Sequence, residues 1–550
     1  MEGLMEGIDL GNDLGVEDAI SMEKEISPNI HILNLAQELL VSILGELEYK
    51  DVMVLRRTCR CLRNLTTSKD IWRGVFLRLA ETRLPRPFFL PKPLAACSAK
   101  DLEHAIANWE AAWPANVSAE VTSHPLAPVS GSREGLGAQR HVDYLLGGRW
   151  ALIRERDASL WYFDLDGSTD NPTPKLLIPA EDPSRTLFGS WLTLDYNLPD
   201  VINTYHLSAF NLAMAVPWAS ANNDDISAPN TNGITMSVWR IETIFEHSQE
   251  DSQIIGKAVG LRAVKRLSSF KEQSKGREAC SFSLLGNHVA YTARRIGEPW
   301  NGCVAIVDWA AANGTTYFEK LHRWYLPKCA ACRVLLLPGS RILIARRGNA
   351  IDKFELYHWG RDSPYSTSPP YQQRFPPISP AWTGALPCEL YPIGNTPFRW
   401  QTIDNGEVRI TVPILDGTAG LRILNTSTST TSSAMDEVVL EVHKDRNVHS
   451  LDSGNKDFLK ARNMSLNWES AGYHRSLFFN AKDSVFGVSQ LSWRDEHNTR
   501  PLRFQKLLLN LPIQYREDEE YLYLPWFDEF SRRVIFAKPA FDGFFVVHLR

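Results

Sequence analysis

The chain has 550 residues, of which 44% are hydrophobic and 22% are charged, and its formal net charge is −5. This length exceeds what one hydrophobic core usually holds, so we expect at least two folded units. The acidic balance gives no electrostatic case for nucleic acid, and no uninterrupted apolar run reaches the roughly 18 residues that a membrane-spanning helix needs. We therefore expect neither nucleic acid nor membrane as a partner.

Residues 1–27 carry eight acidic side chains and a single basic one, Lys24. Such a segment is typical of a disordered acidic leader, and it lacks the basic and apolar regions of a secretory signal. The eight cysteines of the whole chain are a low density, which is consistent with a reducing compartment. We therefore expect an intracellular protein, located in the cytoplasm, the nucleus or both.

Three short helices are predicted in the region that follows, which we place at 30–80. In the first helix, one apolar stripe holds Leu35, Leu39 and Ile43. A second stripe beside it holds Leu40 and Leu44, at the same helical spacing. Three helices of this size can bury one apolar face among themselves but hardly two. The surplus apolar surface points to a partner protein.

The second helix is predicted to begin at Asp51 as its N-cap, and the third is predicted to follow the N-cap Ser68. Apolar residues mark one face of each helix: Val52, Leu55, Cys59 and Leu62 in the second, and Ile71, Trp72, Val75, Phe76 and Leu79 in the third.

This region resembles the F-box, because the order, the spacing and the end-point of the family's motif all agree. The matching elements are Leu35-Ala36-Gln37-Glu38-Leu39, Ile43 to Leu47, Asp51-Val52 to Leu55, Arg57-Thr58-Cys59-Arg60 and Ile71-Trp72. Three positions depart from the pattern: Ala36 replaces the usual Pro, Thr58 the usual Val, and Leu62 the common aromatic residue. The alternative is an ordinary helical hairpin inside a larger core.

The resemblance implies a substrate adaptor without catalytic residues, in the SCF-type cullin–RING ubiquitin ligase of the ubiquitin conjugation pathway. The helices would dock on the Skp-type linker protein, and through it on cullin, while the rest of the chain binds an unknown protein substrate. The docking surface implied by the motif consists of Leu35, Ala36, Leu39, Ile43, Leu47, Val52 and Leu55. Trp72 is expected to pin the third helix to the first.

A connector is predicted over 81–113. Four prolines within 85–93 indicate extended, stiff chain. A helix is predicted over 98–113, with Ser98 at the N-cap and Asp101 at N3. Its apolar residues are Leu102, Ile106, Trp109 and Trp113, and we expect the first three to pack against Val75, Phe76 and Leu79. Small and turn-forming residues over 114–138 predict a flexible linker.

From 139 to 550 the pattern changes to short strands separated by turn residues. One unit recurs, and its third strand lies near residues 161, 238, 305, 355 and 545. Multi-stranded units of 40–50 residues are typical of propeller blades. The stretch after 355 is long enough for four further units of about 48 residues. We predict an α+β multidomain protein whose large all-β domain is a degenerate β-propeller of six to eight blades. The alternative is a pair of β-sandwiches.

The chain stops directly after the strand at 544–549, so we expect this strand to pair with the first blade and close the ring. Loops at Ser220–Gly233 and Ser363–Pro380 are candidate substrate-binding segments. The run Asn425–Ser433 is predicted to be a solvated hairpin loop, or alternatively a phosphorylation cluster.

Catalytic motifs are absent from the sequence: there is no GxSxG elbow, phosphate loop or HExxH pair. Cys329 and Cys332 form a CxxC without further ligands nearby, so free thiols are predicted instead of a zinc site. We expect no metal and no cofactor. Two alternatives stay open: a β-propeller enzyme, with acidic or His side chains at the central mouth, and a ligase-independent scaffold, whose helices bind the Skp-type protein without cullin.

Overall fold

The structure is a computed structural model that describes 24 segments of the chain. They are residues 32–110, 119–126, 141–155, 157–167, 173–181, 190–218, 233–247, 255–273, 277–295, 298–312, 321–327, 331–346, 353–360, 365–366, 378–386, 399–402, 406–414, 417–424, 437–444, 470–471, 475–480, 485–490, 526–537 and 543–549. The chain divides into two compact units, one ending at Val75 and the other beginning at Phe76. The predicted acidic leader, Trp113, Cys329 and the run Asn425–Ser433 lie outside the described residues.

Four α-helices, and not three, occupy the region of the predicted helical module. They are α1 (Gln37–Gly45), α2 (Tyr49–Leu55), α3 (Arg60–Leu65) and α4 (Lys69–Thr82). The predicted second helix was wrong in both bounds. Its N-cap is Glu48 and not Asp51, and it ends at Leu55. The chain then turns, and the Cys59 Sγ accepts a hydrogen bond from the Leu62 amide at 3.5 Å, which caps α3 separately.

The N-terminus of α4 follows the prediction, because the Ser68 hydroxyl accepts a hydrogen bond from the Asp70 amide at 3.3 Å. Trp72 is fully buried, and its indole N–H donates to the Thr66 carbonyl at 2.8 Å. Its ring also lies 6.1 Å from that of Tyr49 on α2. These contacts join α4 to α2 and to the end of α3, whereas the prediction had paired Trp72 with the first helix.

The connector is part of the second unit. Arg86 and Thr402 exchange two backbone hydrogen bonds of 3.0 and 3.2 Å, and the Leu90 amide donates to the Tyr205 carbonyl at 2.6 Å. Phe88 and Phe89 are buried. The proline-rich segment therefore forms no regular helix, with bends at residues 87, 91 and 92, and its backbone is anchored at two separate places on the β-rich unit.

Helix α5 (Ala99–Glu110) carries the predicted capping box. The Ser98 amide donates to the Asp101 carboxylate at 2.8 Å, and the Asp101 amide donates to the Ser98 hydroxyl at 3.2 Å. Trp109 stacks on Phe530 with ring centroids 5.3 Å apart, and it contacts Phe88 edge-on. The ring of Trp109 therefore packs against Phe530 of the β-rich unit, a contact that the prediction of packing on Val75, Phe76 and Leu79 did not include.

The second unit contains seven antiparallel sheets among its described residues. The first sheet consists of β2 (His141–Tyr144), β3 (Trp150–Arg154), β4 (Leu160–Asp164) and β5 (Lys175–Ile178), and the second consists of β6 (Trp191–Asp195), β7 (Ala209–Trp218), β8 (Gly233–His247) and β9 (Ile255–Gln273). The third sheet consists of β10 (Arg277–Leu285), β11 (His288–Arg295), β12 (Glu298–Asp308), β13 (Arg323–Pro327) and β17 (Tyr365–Ser366). The fourth sheet consists of β14 (Ala331–Leu337), β15 (Arg341–Arg346), β16 (Lys353–His358) and β18 (Trp382–Ala385).

The fifth sheet consists of β19 (Arg399–Thr402), β20 (Val408–Ile414), β21 (Gly417–Leu424) and β22 (Glu437–Lys444). The sixth sheet consists of β23 (Ser470–Ala471), β24 (Arg475–Asn480) and β25 (Val485–Gln490). The last sheet consists of β26 (Trp526–Asp528), β27 (Arg533–Ala537), β28 (Gly543–Leu549) and β1 (Ala119–Pro125). All five predicted third strands occupy the third position of a sheet. The described residues after 355 form three further sheets; the prediction had allowed room for four units there, part of which lies outside the described residues.

The fourth sheet packs face to face with the third and with the fifth, because its strand β15 is apolar on both of its faces. In β15, Ile342 and Ile344 point into the core shared with the third sheet, while Leu343 and Ala345 point into the core shared with the fifth. Successive side chains of a strand alternate between its two faces, so a continuous apolar run serves two interfaces. This arrangement makes each sheet a propeller blade and excludes the pair of sandwiches.

The ring closes between the last sheet and the first. Phe544 and Val546 of β28 share a core with Ile153 and Phe163 of the first sheet. In addition, β1 pairs along its whole length with β28 and supplies the fourth strand of the last sheet. Residues 119–125 therefore belong to the propeller, and their prediction as linker was wrong. Strand β28 therefore pairs with β1, and it contacts the first sheet through its side chains.

Candidate partner-docking surface

The two apolar stripes of α1 have different environments. Leu40 and Leu44 are buried in the core of the first unit. Leu39 and Ile43, one helical turn apart on the neighbouring stripe, are 55% and 42% exposed. A leucine and an isoleucine in this position expose apolar surface that the unit itself does not cover. The stripe that holds Leu39 and Ile43 is therefore the surplus apolar surface that the sequence pattern indicated.

Two more exposed apolar side chains lie in the same unit: Val54 on α2 is 60% exposed, and Ile32 in the turn before α1 is 51% exposed. Neither belongs to the docking set predicted from the motif. Val54 lies between Val52 and Leu55, and a helix places it on a different face from both of them. That offset was the only sign of its exposure in the sequence.

The predicted docking residues fall into three groups. Ala36, the N-cap of α1, is exposed together with Leu39 and Ile43. Three others are half-buried: Leu35, Leu47 and Leu55. Val52 is fully buried, so its side chain is core and lies outside any contact surface. Val52 therefore leaves the predicted set, and we define the candidate docking surface as the exposed Ile32, Ala36, Leu39, Ile43 and Val54 together with the half-buried Leu35, Leu47 and Leu55.

Close backbone packing holds α1 in place. A Cβ atom on Gly74 of α4 would lie 3.1 Å from both the Cα and the carbonyl oxygen of Gly45, the last residue of α1. Real Cβ contacts are rarely this short, so the two helices meet where neither has a side chain. This contact fixes the angle at which α1 presents Leu39 and Ile43.

Four arginines at the end of α2 and along α3 have two different environments: Arg56, Arg57, Arg60 and Arg63. Arg56 donates to the Thr66 hydroxyl at 3.1 Å and to the Thr66 carbonyl at 3.0 Å, and its guanidinium lies 5.4 Å from the Trp72 ring centre. Arg56 thus joins α2 to the end of α3. Arg57, Arg60 and Arg63 are exposed to solvent.

In the part of the chain that the structure describes, no group of three or more His, Cys, Asp or Glu side chains could hold a metal ion. None of the described helices has the length and apolar character needed to span a membrane.

Comparison with known proteins identifies the helical region. Residues 32–74 match the family model of the F-box domain. No curated protein matches the chain. Among solved structures, the chain is similar to the β-propeller domain of Cps50 (Swd1) from Myceliophteria thermophila, with 9% sequence identity and a TM-score of 0.37. That likeness covers 79% of this chain and 99% of the other. The propeller assignment rests on the strand order and on the closure of the seven sheets.

Proposed function

We propose that this chain, through the F-box domain at residues 32–74, is a substrate-recognition adaptor of an SCF-type cullin–RING ubiquitin ligase. The F-box would dock on a Skp-type linker and through it on cullin. The propeller would bind a protein substrate. Such a chain performs no chemistry itself, because it acts by raising the effective concentration of the substrate near the conjugating enzyme.

One observation carries the proposal: large apolar side chains of the F-box domain are exposed to solvent. Leu39, Ile43 and Val54 are each more than two-fifths exposed. Fully burying an exposed Leu, Ile or Val side chain contributes about 1.5–3 kcal/mol, so covering the exposed half of each contributes roughly half of that. A partner that covers all three would therefore offset part of the free-energy cost of association.

The test is co-purification of the full chain with a Skp-type linker and with cullin, each detected separately. We expect the Leu39→Ala/Ile43→Ala variant to lose both proteins. The matched control is Leu176→Ala, which removes an exposed leucine from the propeller. Retention of the linker by the double variant would contradict the docking surface. Binding of the linker without cullin would instead support the ligase-independent scaffold.

A further inference from the structure

The outer strand of the second sheet is far longer than the other outer strands. β9 has 19 residues, whereas β5, β18, β22 and β1, the outer strands of four other sheets, have 4, 4, 8 and 7. The outer edge of β9 pairs with no strand among the described residues. Natural proteins usually keep free edge strands short, because an exposed edge invites association. A free edge strand of 19 residues is therefore unusual.

The exposed charges of β9 all have one sign. Its exposed charged residues are Lys257, Arg262, Lys265, Arg266 and Lys271. The single acidic residue of the strand, Glu272, is buried against Arg323. The formal net charge of the whole chain is −5. The edge of this blade is therefore a basic strip on an acidic protein.

Apolar side chains accompany the basic ones. Within the described part of the second unit, the exposed large apolar side chains are Leu176 on β5, Ile244 on β8 and Val264 on β9. The pairing of β8 with β9 shifts register between Arg240 and Ile241, and this bulge leaves Val264 unpaired in the middle of the strand. Bulges often re-aim a side chain. Here the bulge places an exposed valine beside exposed Lys265.

Two arginines of the strip form ion pairs with glutamates, and both pairs are exposed to solvent. Arg262 pairs with Glu242 at 3.4 Å, and Arg266 pairs with Glu181 at 2.6 Å, with all four side chains at least two-fifths exposed. Exposed ion pairs of this kind contribute little to stability. Carboxylates of another molecule can therefore replace Glu242 and Glu181 at small cost.

We propose that the β9 edge is a docking site for an acidic protein segment that also carries apolar side chains. Its carboxylates would meet the basic side chains of β9, and its apolar groups would cover Val264 and Ile244. An interface with apolar groups inside a charged surround is the usual arrangement in proteins. This inference deepens the proposed function, on which it rests, because the segment would belong to the substrate of the adaptor.

A protein segment fits the strip better than a nucleic acid does. A phosphate backbone would satisfy the lysines and arginines but would leave Val264 and Ile244 in water. The negative charge of the whole chain would also repel a long polyanion. A short acidic peptide would contact the basic strip alone, so the negative charge on the rest of the chain would repel it less.

The experiment measures binding of a fluorescein-labelled peptide of six Glu-Val repeats to the full chain by anisotropy. Two variants test the two halves of the proposal: Lys265→Glu reverses a charge, and Val264→Ser removes an apolar contact. The matched control is Lys100→Glu, an exposed lysine on α5. We expect Kd to rise about fivefold or more for Lys265→Glu, to rise for Val264→Ser, and to stay unchanged for the control.

Several results would overturn the proposal. One is a wild-type chain that does not bind the peptide. Another is equal weakening by Lys100→Glu, or no effect of Val264→Ser, since either shows general charge attraction. A third is tighter binding of a twelve-nucleotide thymidine strand than of the peptide, which would indicate a nucleic-acid surface. Co-purification with the Skp-type linker is scored on the same samples: its loss with peptide binding intact contradicts only the proposed function.

Discussion

Glu272 and Arg323 join the second and third blades through a bidentate ion pair that is withdrawn from solvent. The Arg323 Nε and Nη2 atoms donate to the two carboxylate oxygens at 2.7 and 2.8 Å, and Nη1 donates to the Leu321 carbonyl at 3.0 Å. Burial disfavours the charged guanidinium, but the facing Glu272 carboxylate outweighs it and raises the pKa of Arg323. The Arg323 guanidinium therefore keeps its charge beside Glu272.

We expect Arg323→Met to lower the free energy of unfolding by about 3–5 kcal/mol, because Glu272 would be left buried without its counter-charge. The Glu272→Leu/Arg323→Met double variant should recover much of that loss, since no buried charge remains. Urea unfolding curves measure both. The control is Arg262→Met, which removes an exposed pair and should cost less than about 1 kcal/mol. A single variant as stable as this control would show that the pair contributes nothing.

Trp109→Ala should destabilise the propeller unit by about 3–5 kcal/mol, because it removes the stacked contact with Phe530 and the edge contact with Phe88. The measurement is the melting of the β-sheet signal in circular dichroism. His104→Ala on the exposed side of α5 is the control. An unchanged sheet transition would mean that α5 is dispensable for the propeller.

Gly74→Ala should disturb the F-box unit, because the added methyl group would meet the backbone of Gly45 at 3.1 Å. Overpacking of this kind costs about 1–3 kcal/mol. We expect faster amide hydrogen exchange in α1 and weaker co-purification of the Skp-type linker. Arg73→Ala, at the exposed neighbouring position, is the control and should change neither. If Gly74→Ala binds the linker normally, the helix angle is not set at this contact.

Leu39→Ala and Val52→Ala should distinguish a residue that contacts the partner from a residue of the core within the F-box domain. Leu39 is exposed, so its loss should leave hydrogen exchange unchanged and reduce binding of the linker. Val52 is buried, so its loss should cost about 1–3 kcal/mol and speed up exchange in α2. The opposite assignment of the two effects would place α2, and not α1, at the interface.

The stability of the propeller should fall on acidification because of His141 on β2. Burial, and then the charge of Arg154, lower the pKa of His141 from 6.5 to about 4. Between those values the unfolded chain binds a proton that the folded chain does not, so stability is complete above pH 6.5 and declines toward pH 4. The difference is worth at most roughly 3 kcal/mol.

His141→Gln should therefore flatten the dependence of the urea midpoint on pH between 7 and 4.5. His104→Gln, at an exposed position, is the control and should keep the wild-type slope. A wild-type slope in the His141 variant would show that other groups cause the acid sensitivity.

The sequence by itself determined the helical module, the capping box at Ser98 and Asp101, and the third strands of five blades. These features depend on local spacing: an apolar stripe, a cap three residues from its acidic partner, or an aromatic strand after a turn. Such patterns are readable because the residues that cooperate are near one another in the chain.

Only the tertiary structure decided which apolar side chains are core and which are surface. Val52 and Val54 are both valines on one short helix, yet one is buried and the other exposed, because burial depends on neighbouring helices. Likewise, β1 could not be recognised as a strand from residues 119–125, because its pairing partner lies over 400 residues away in β28. Ion pairs such as Glu272 with Arg323 join separate blades, and contacts of that kind leave no periodic trace in the sequence.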